Sequence, residues 1–184
     1  RIEAVLPHAQ RLFALEQHVD GDRPREAGVA SGLRARQPRL AALSDELRAR
    51  FDAVEVVHLG IYNYRCIGGG TPDTRPGCTL SQHAYARAID LNTFVAADGT
   101  IYGVETDWVI DAEPTCAAPT ESVLDAMLHD IACGLHDAHT FNVILTPNYN
   151  AAHRNHFHVD LTAGSMFVGS SIAGVDPPFP GLGD

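Results

Sequence analysis

Few folds can satisfy the stretch His156-Phe-His-Val-Asp-Leu161. In a β-strand, side chains two apart share a face and lie about 6.6 Å from each other. Alternation then sets His156, His158 and Asp160 on one side and Phe157, Val159 and Leu161 on the other. The apolar side belongs in a core. The opposite side is not an ordinary solvated face, which carries Lys, Glu and Thr; it offers two imidazoles and a carboxylate. The segment demands a sheet packed on one face and chemically equipped on the other.

A second segment, Ser81-Gln-His83-Ala-Tyr-Ala-Arg-Ala-Ile-Asp90, has the same texture. Read as a strand over Ala86–Phe94, it puts Ala86, Ala88 and Asp90 on the open side, with Ile89 and Leu91 in the core. The small residues beside Asp90 leave room for something to approach the sheet. His83 returns to the same place if a short turn precedes the strand. Taken alone, His83 and Asp90 read as a structural hydrogen-bonded pair, and His153, His156 and His158 as a surface patch that binds metal adventitiously. Together they read as one site. A His/Asp/His set with an open fourth position fits one catalytic zinc ion, bound at about 2.0–2.2 Å. Zinc lowers the pKa of its water from roughly 15.7 toward 7, and a nearby base manages the proton.

The remaining chain reads as a frame for that sheet. Helices are expected over Pro7–Asp20 and Pro38–Phe51, separated by the loop GDRPREAGVASG. Val54–Leu59 is a strand, and Tyr62–Arg65 either extends the sheet or turns away from it. Asp98-Gly99 is a hairpin turn leading into a strand over Thr100–Val104. Thr120 caps a helix that buries Val123, Leu124, Met127, Leu128, Ile131 and Leu135. Phe141–Leu145 and His156–Leu161 complete the strands, and a Gly-, Ser- and Pro-rich tail follows Thr162. The expected fold is α+β: one domain over 1–184, with a helical part to 52, a core over 53–162 and a tail over 163–184. A small, mostly antiparallel sheet carries helices on one face.

Charge and cysteines bound the setting. A formal net charge of −10 argues against nucleic acid and anionic membrane surfaces, which need clustered Lys and Arg. No apolar run approaches the roughly 20 residues of a transmembrane segment. The chain opens at Arg1 rather than Met, which reads as a mature or trimmed form. Cysteines 66, 78, 116 and 133 form no CxxC pair; their even number suggests two disulfides and an exported protein. Three pairings are possible. The loop-like IGGGTPDTRPG favours Cys66–Cys78, which leaves Cys116–Cys133 to tie a loop to a helix; four buried thiols are the alternative. HExxH and GxSxG are absent, and Gly68-Gly69-Gly70 lacks a phosphate-loop signature.

The order SxHxxxxAxD followed by HxxHxH resembles the zinc peptidase group of lysostaphin-type enzymes, D-Ala-D-Ala carboxypeptidases and the hedgehog fold. TLSQHAYARAIDLNTF, DGTIYGVETDW and ILTPNYNAAHRNHFHVDL resemble more closely the extensin-like C-terminal family of exported bacterial proteins. The resemblance runs over about Leu59 to Leu161. It implies a hedgehog/D-Ala-D-Ala-peptidase-like fold and a zinc ion held by His83, Asp90 and His158. It implies His156 as general base or acid, His153 as a polar neighbour and Arg65 as a hold on a substrate carbonyl or carboxylate. Ser81 and Asp160 would orient the ligand histidines. Where the group carries Gly, this chain has Ala86, and no Glu stands beside the last histidines. The expected activity is hydrolysis of amide bonds in peptidoglycan or related cell-wall peptides. The alternatives are a non-catalytic wall- or glycan-binding module with a structural zinc and, more weakly, a secreted zinc-binding signalling domain.

Overall fold

A computed structural model describes residues 10–11, 24–110 and 114–169. Its elements run β1 (Gln10–Arg11), α1 (Pro24–Phe51), β2 (Ala53–Gly60), β3 (Ala88–Ala96), β4 (Ile101–Gly103), α2 (Val104–Asp107), α3 (Val123–Asp137), β5 (Val143–Leu145), β6 (Phe157–Asp160) and β7 (Phe167–Gly169). Short 3₁₀ turns at Gln82–Tyr85 and Ala151–His153 precede β3 and β6. The strands form one sheet in the order β1-β2-β3-β6-β5-β7, with β4 also paired to β3. All pairings are antiparallel except β5 with β7. This is the expected α+β class.

The core lies on one face of the sheet. Ile89, Leu91 and Phe94 from β3, Phe157 and Val159 from β6, and Ile144 from β5 are fully buried there against Leu43 and Leu47 of α1 and Leu128, Ile131 and Leu135 of α3. Burying one such side chain stabilises by about 1.5–3 kcal/mol. Phe157 also meets Trp108 edge-to-face, with centroids 5.3 Å apart. Between β2 and β3 the register steps from Val57↔Thr93 to His58↔Leu91, so Asn92 is an extra residue on β3. This bulge resets the alternation and keeps Phe94 and Ala96 on the core face.

Several expected boundaries shift. The segment expected as a loop over 21–32 is helical from Pro24, and Pro38 lies inside α1 instead of starting a second helix. Ala27, Ala30, Leu33, Ala35 and Gln37 favour helix strongly enough to carry it through the glycines and the proline, whose missing N–H leaves one backbone bond unmade. Within the helix expected over Pro7–Asp20, Gln10–Arg11 is instead a strand edge on His58 and Val57; the other positions lie outside the described residues. Ser122 rather than Thr120 caps α3, its hydroxyl accepting from the Asp125 N–H, so Val123 falls in the first turn and is exposed. Tyr62–Arg65 leaves the sheet. The span taken as a tail contributes β7.

Ala86 also departs from expectation. It is not in the strand but ends the 3₁₀ turn in the left-handed region, φ 53° and ψ 34°. A Cβ there costs about 1–2 kcal/mol, which is why glycine suits the position. Ala86 is nonetheless buried, so Gly gains backbone ease and loses a packed methyl worth about 0.8 kcal/mol. Urea unfolding should place Ala86→Gly within about 1 kcal/mol of the parent, while β-branched Ala86→Val should lose about 2 kcal/mol or more.

Candidate metal centre

Register builds the site. Asp90 of β3 lies directly opposite His158 of β6, and Ala88 opposite Asp160. Directly opposed Cβ atoms stand about 4.5–5.5 Å apart, within reach of a shared ligand. Across its other edge Asp90 faces Gly60 of β2, where an added Cβ would meet nothing within 4 Å. That missing side chain leaves the sheet face open beside Asp90.

His83 arrives from the 3₁₀ turn. Ser81 caps this turn by accepting from the His83 N–H at 3.3 Å, and the Ala86 N–H closes it on the His83 carbonyl at 3.1 Å. Ser81 thus fixes the backbone of His83 rather than its ring. The His83 ring enters the sheet face so that Nε2 lies 3.1 Å from Asp90 Oδ1 and 3.1 Å from His158 Nδ1. His158 Nδ1 and Asp90 Oδ1 are also 3.1 Å apart. Among the described residues, His83, Asp90 and His158 form the set whose donor atoms all lie within 4.8 Å of one another.

The outer nitrogens decide what this triangle can hold. His83 Nδ1 is 3.2 Å from the Ile61 carbonyl, which can only accept, so that nitrogen carries the proton. His158 Nε2 is 3.2 Å from Asp160 Oδ2 and donates to it. Both inner nitrogens therefore turn lone pairs toward the carboxylate. Three acceptors on one point need a cation between them. A divalent ion would be held by His83 Nε2, Asp90 Oδ1 and His158 Nδ1, whose 3.1 Å separations suit bonds of about 2.0–2.2 Å. The residues fit a tetrahedral divalent metal such as zinc.

Without a metal, a proton takes that place. Burial would strip it from His158, but hydrogen bonds to Asp160 and Asp90 outweigh burial and push the imidazole up to about 9. Burial would raise the Asp90 carboxyl, yet its contacts with the His158 and His83 imidazoles hold it well below the usual range. His153 goes the other way: burial, then the positive fields of His158 and His156, lower it to about 3.

Beside the triangle lies a cleft of about 340 Å³ lined by Arg65, Gly68, Gly69, Asp90, Ala152, His153, His156 and His158. A smaller one of about 150 Å³, lined by residues 59–63 with Arg65, His83 and Asp90, adjoins it. Arg65 and Asp90 belong to both, so the two limbs meet at the triangle. His156 Nε2 is 3.4 Å from Asp90 Oδ1, while its Nδ1 donates to Asn155 Oδ1 at 2.7 Å. His153 Nδ1 lies 2.7 Å from Asn150 Oδ1. The Asn150 loop is tied to the core through Asn148, whose side chain accepts from Trp108 Nε1 at 3.1 Å.

Every side chain in this account falls within residues 39–168, which match the family model of the extensin-like protein C-terminus. The chain belongs to the extensin-like C-terminal family. The extensin-like span is wider than the motifs suggest, beginning inside α1 and ending in β7. No curated protein and no solved structure matches the chain. Within the extensin-like span both disulfides form, Cys66–Cys78 and Cys116–Cys133. They accord with an oxidising compartment. Among the described residues, no helix is long and apolar enough to cross a membrane.

The structure brings Asp90, His158, His156, His153 and Arg65 around one cleft, with His83 lining the adjoining limb and Asp160 bonded to the His158 ring. Sequence reading passed over Asn150 and Asn155, which set the histidine tautomers, and the Ile61 carbonyl. Each asparagine stands close before a histidine in NYNAAHRNHFH, a faint signal. His58 and His129 are buried away from the triangle, His129 stacked on Trp108 at 4.0 Å.

The two shifted histidines give opposite pH slopes. His153 titrates at about 3 when folded and near 6.5 when unfolded. Its contribution is complete above about 6.5 and falls as the pH drops toward 3, because the unfolded chain takes the proton first. His158 is raised, so its contribution is complete below about 6.5 and is lost as pH rises through about 9. Urea titrations in chelator should show His153→Gln flattening the acid slope and His158→Gln the alkaline one.

Proposed function

We propose that this chain is an exported zinc-dependent hydrolase of amide bonds in peptidoglycan or related cell-wall peptides. The observation that carries the reading is the triangle of inward lone pairs 3.1 Å apart, opening on a cleft with its own histidines and an arginine. A structural metal site is normally closed by a fourth protein ligand; three ligands and an open vertex suit catalysis. The resemblance to D-Ala-D-Ala carboxypeptidases and lysostaphin-type enzymes supplies the substrate class and the hedgehog-type placement of the fold.

A bound zinc would supply Lewis acidity toward a scissile carbonyl and a water acidified toward neutral pH. The chain's own groups do the rest. Asn155 holds the His156 Nδ1 proton, so Nε2 presents its lone pair beside Asp90, placed to take a proton and return it to a leaving amine. His153 is kept neutral by burial, so it does not add positive charge to the cleft. Arg65, half-buried where the limbs meet, steadies a carbonyl oxygen or a peptide carboxylate. Asp160 fixes the His158 ring.

One observation favours a second reading, a wall-binding module with a retained zinc. Among the described residues, Asp90 is the only carboxylate lining either limb, and none of them offers the cleft a further Glu or Asp as base. Metal analysis with digestion of purified peptidoglycan separates the two. The parent chain should bind one zinc and release new amines or carboxylates from the wall. His158→Ala should lose the metal. His156→Ala should keep it and lose about 10²–10⁴-fold in rate. A parent chain that binds zinc and wall but cleaves nothing supports the module.

A further inference from the structure

Tyr62 is the exposed aromatic of the smaller limb. It is 53% exposed, unusual for so large a ring beside a cleft. Its position is nonetheless fixed. The Ile61 carbonyl before it accepts from His83 Nδ1 at 3.2 Å, and the Asn63 N–H after it donates to the His83 carbonyl at 3.3 Å. Both neighbours of Tyr62 are thus pinned to a single residue of the triangle, and the ring is presented at the lip at little further ordering cost on binding.

The surroundings choose the ligand. Asn63 and Arg65 supply donors in the same limb, Gly60 contributes no side chain, and the acidic and imidazole groups of Asp90 and His83 close the inner end. An apolar peptide side chain would want an enclosed greasy pocket. A pyranose ring is two-faced: its axial C–H face lies flat on an aromatic ring while its hydroxyl edge takes amide and guanidinium hydrogen bonds.

We propose that Tyr62, with Asn63, forms a saccharide subsite next to the triangle, so that the favoured ligand is a wall peptide still attached to its sugar. This rests on the wall-peptide reading above and narrows it from the peptide to the glycopeptide. Tyr62 acts as a positioning residue for binding and takes no part in the proposed chemistry.

Calorimetry on the zinc-loaded full chain tests it with two probes, a disaccharide-tetrapeptide released from peptidoglycan and the same tetrapeptide without sugar. The His156→Ala background prevents turnover during the measurement. The sugar-bearing probe should bind about tenfold more tightly, the value of one aromatic stacking contact. Tyr62→Ala should remove that difference and leave the bare peptide unchanged, while Tyr62→Phe should keep it. Equal binding of both probes, or equal weakening of both in Tyr62→Ala, overturns the subsite. A preference for sugar, where the parent chain with His156 intact cleaves no peptidoglycan, sinks the hydrolase and leaves the subsite standing. Cleavage with no effect of Tyr62 on sugar preference does the reverse.

Discussion

The antiparallel register between β3 and β6 is the constraint on which the site rests. It places Asp90 opposite His158, and it is held from the far side of the sheet by Ile89, Leu91, Phe157 and Val159, all fully buried. A slip of one residue in either strand would carry its two apolar residues to the open face and drive its carboxylate or imidazole into the core. At about 1.5–3 kcal/mol for each large apolar side chain, the core dominates any repulsion among the polar groups. Three lone pairs can therefore be brought together although they do not attract one another. The convergence is imposed by the packing behind it, and the proton on His158 then ties its corners together.

The third corner is built differently. His83 does not ride on a strand; it depends on a capped 3₁₀ turn, a left-handed Ala86 and one backbone carbonyl. Its ring is aimed by hydrogen bonds, where Asp90 and His158 are aimed by the sheet. The electrostatics follow from this convergence. Asp160 and Asp90 keep His158 cationic when no metal is present, and burial keeps His153 neutral a short distance away. Two imidazoles with ring centroids 5.8 Å apart thus titrate on opposite sides of neutrality.

Much of this was legible because alternation is a strong code. The period of two in His156–Leu161 sorted site from core residue by residue, and the loop between Cys66 and Cys78 announced its bridge. What stayed hidden was local. Pro38 read as a helix start and the glycines before it as a loop, because the sum of weak helix preferences around them is less visible than one strong signal. Ala86 read as strand, because nothing in an alanine reveals a positive φ. Asn150 and Asn155 carried no reading, since their work is to orient rings that only the fold brings near. β7 was missed because a three-residue strand surrounded by Gly and Ser has too few positions to show a period.

The bulge at Asn92 has a consequence for how β3 tolerates change. The strand is written in two frames: before Asn92 the odd-numbered residues Ile89 and Leu91 face inward, and after it the even-numbered Phe94 and Ala96 do. The Asn92 side chain locks the switch by donating to the Asn155 carbonyl at 2.6 Å, next to the residue that carries His156. Without Asn92, plain alternation would run from Leu91 through Phe94 to Ala96; with it, the two frames are offset by one residue. The two halves of one strand thus carry different duties, the half that bears Asp90 answerable to the triangle and the distal half to packing.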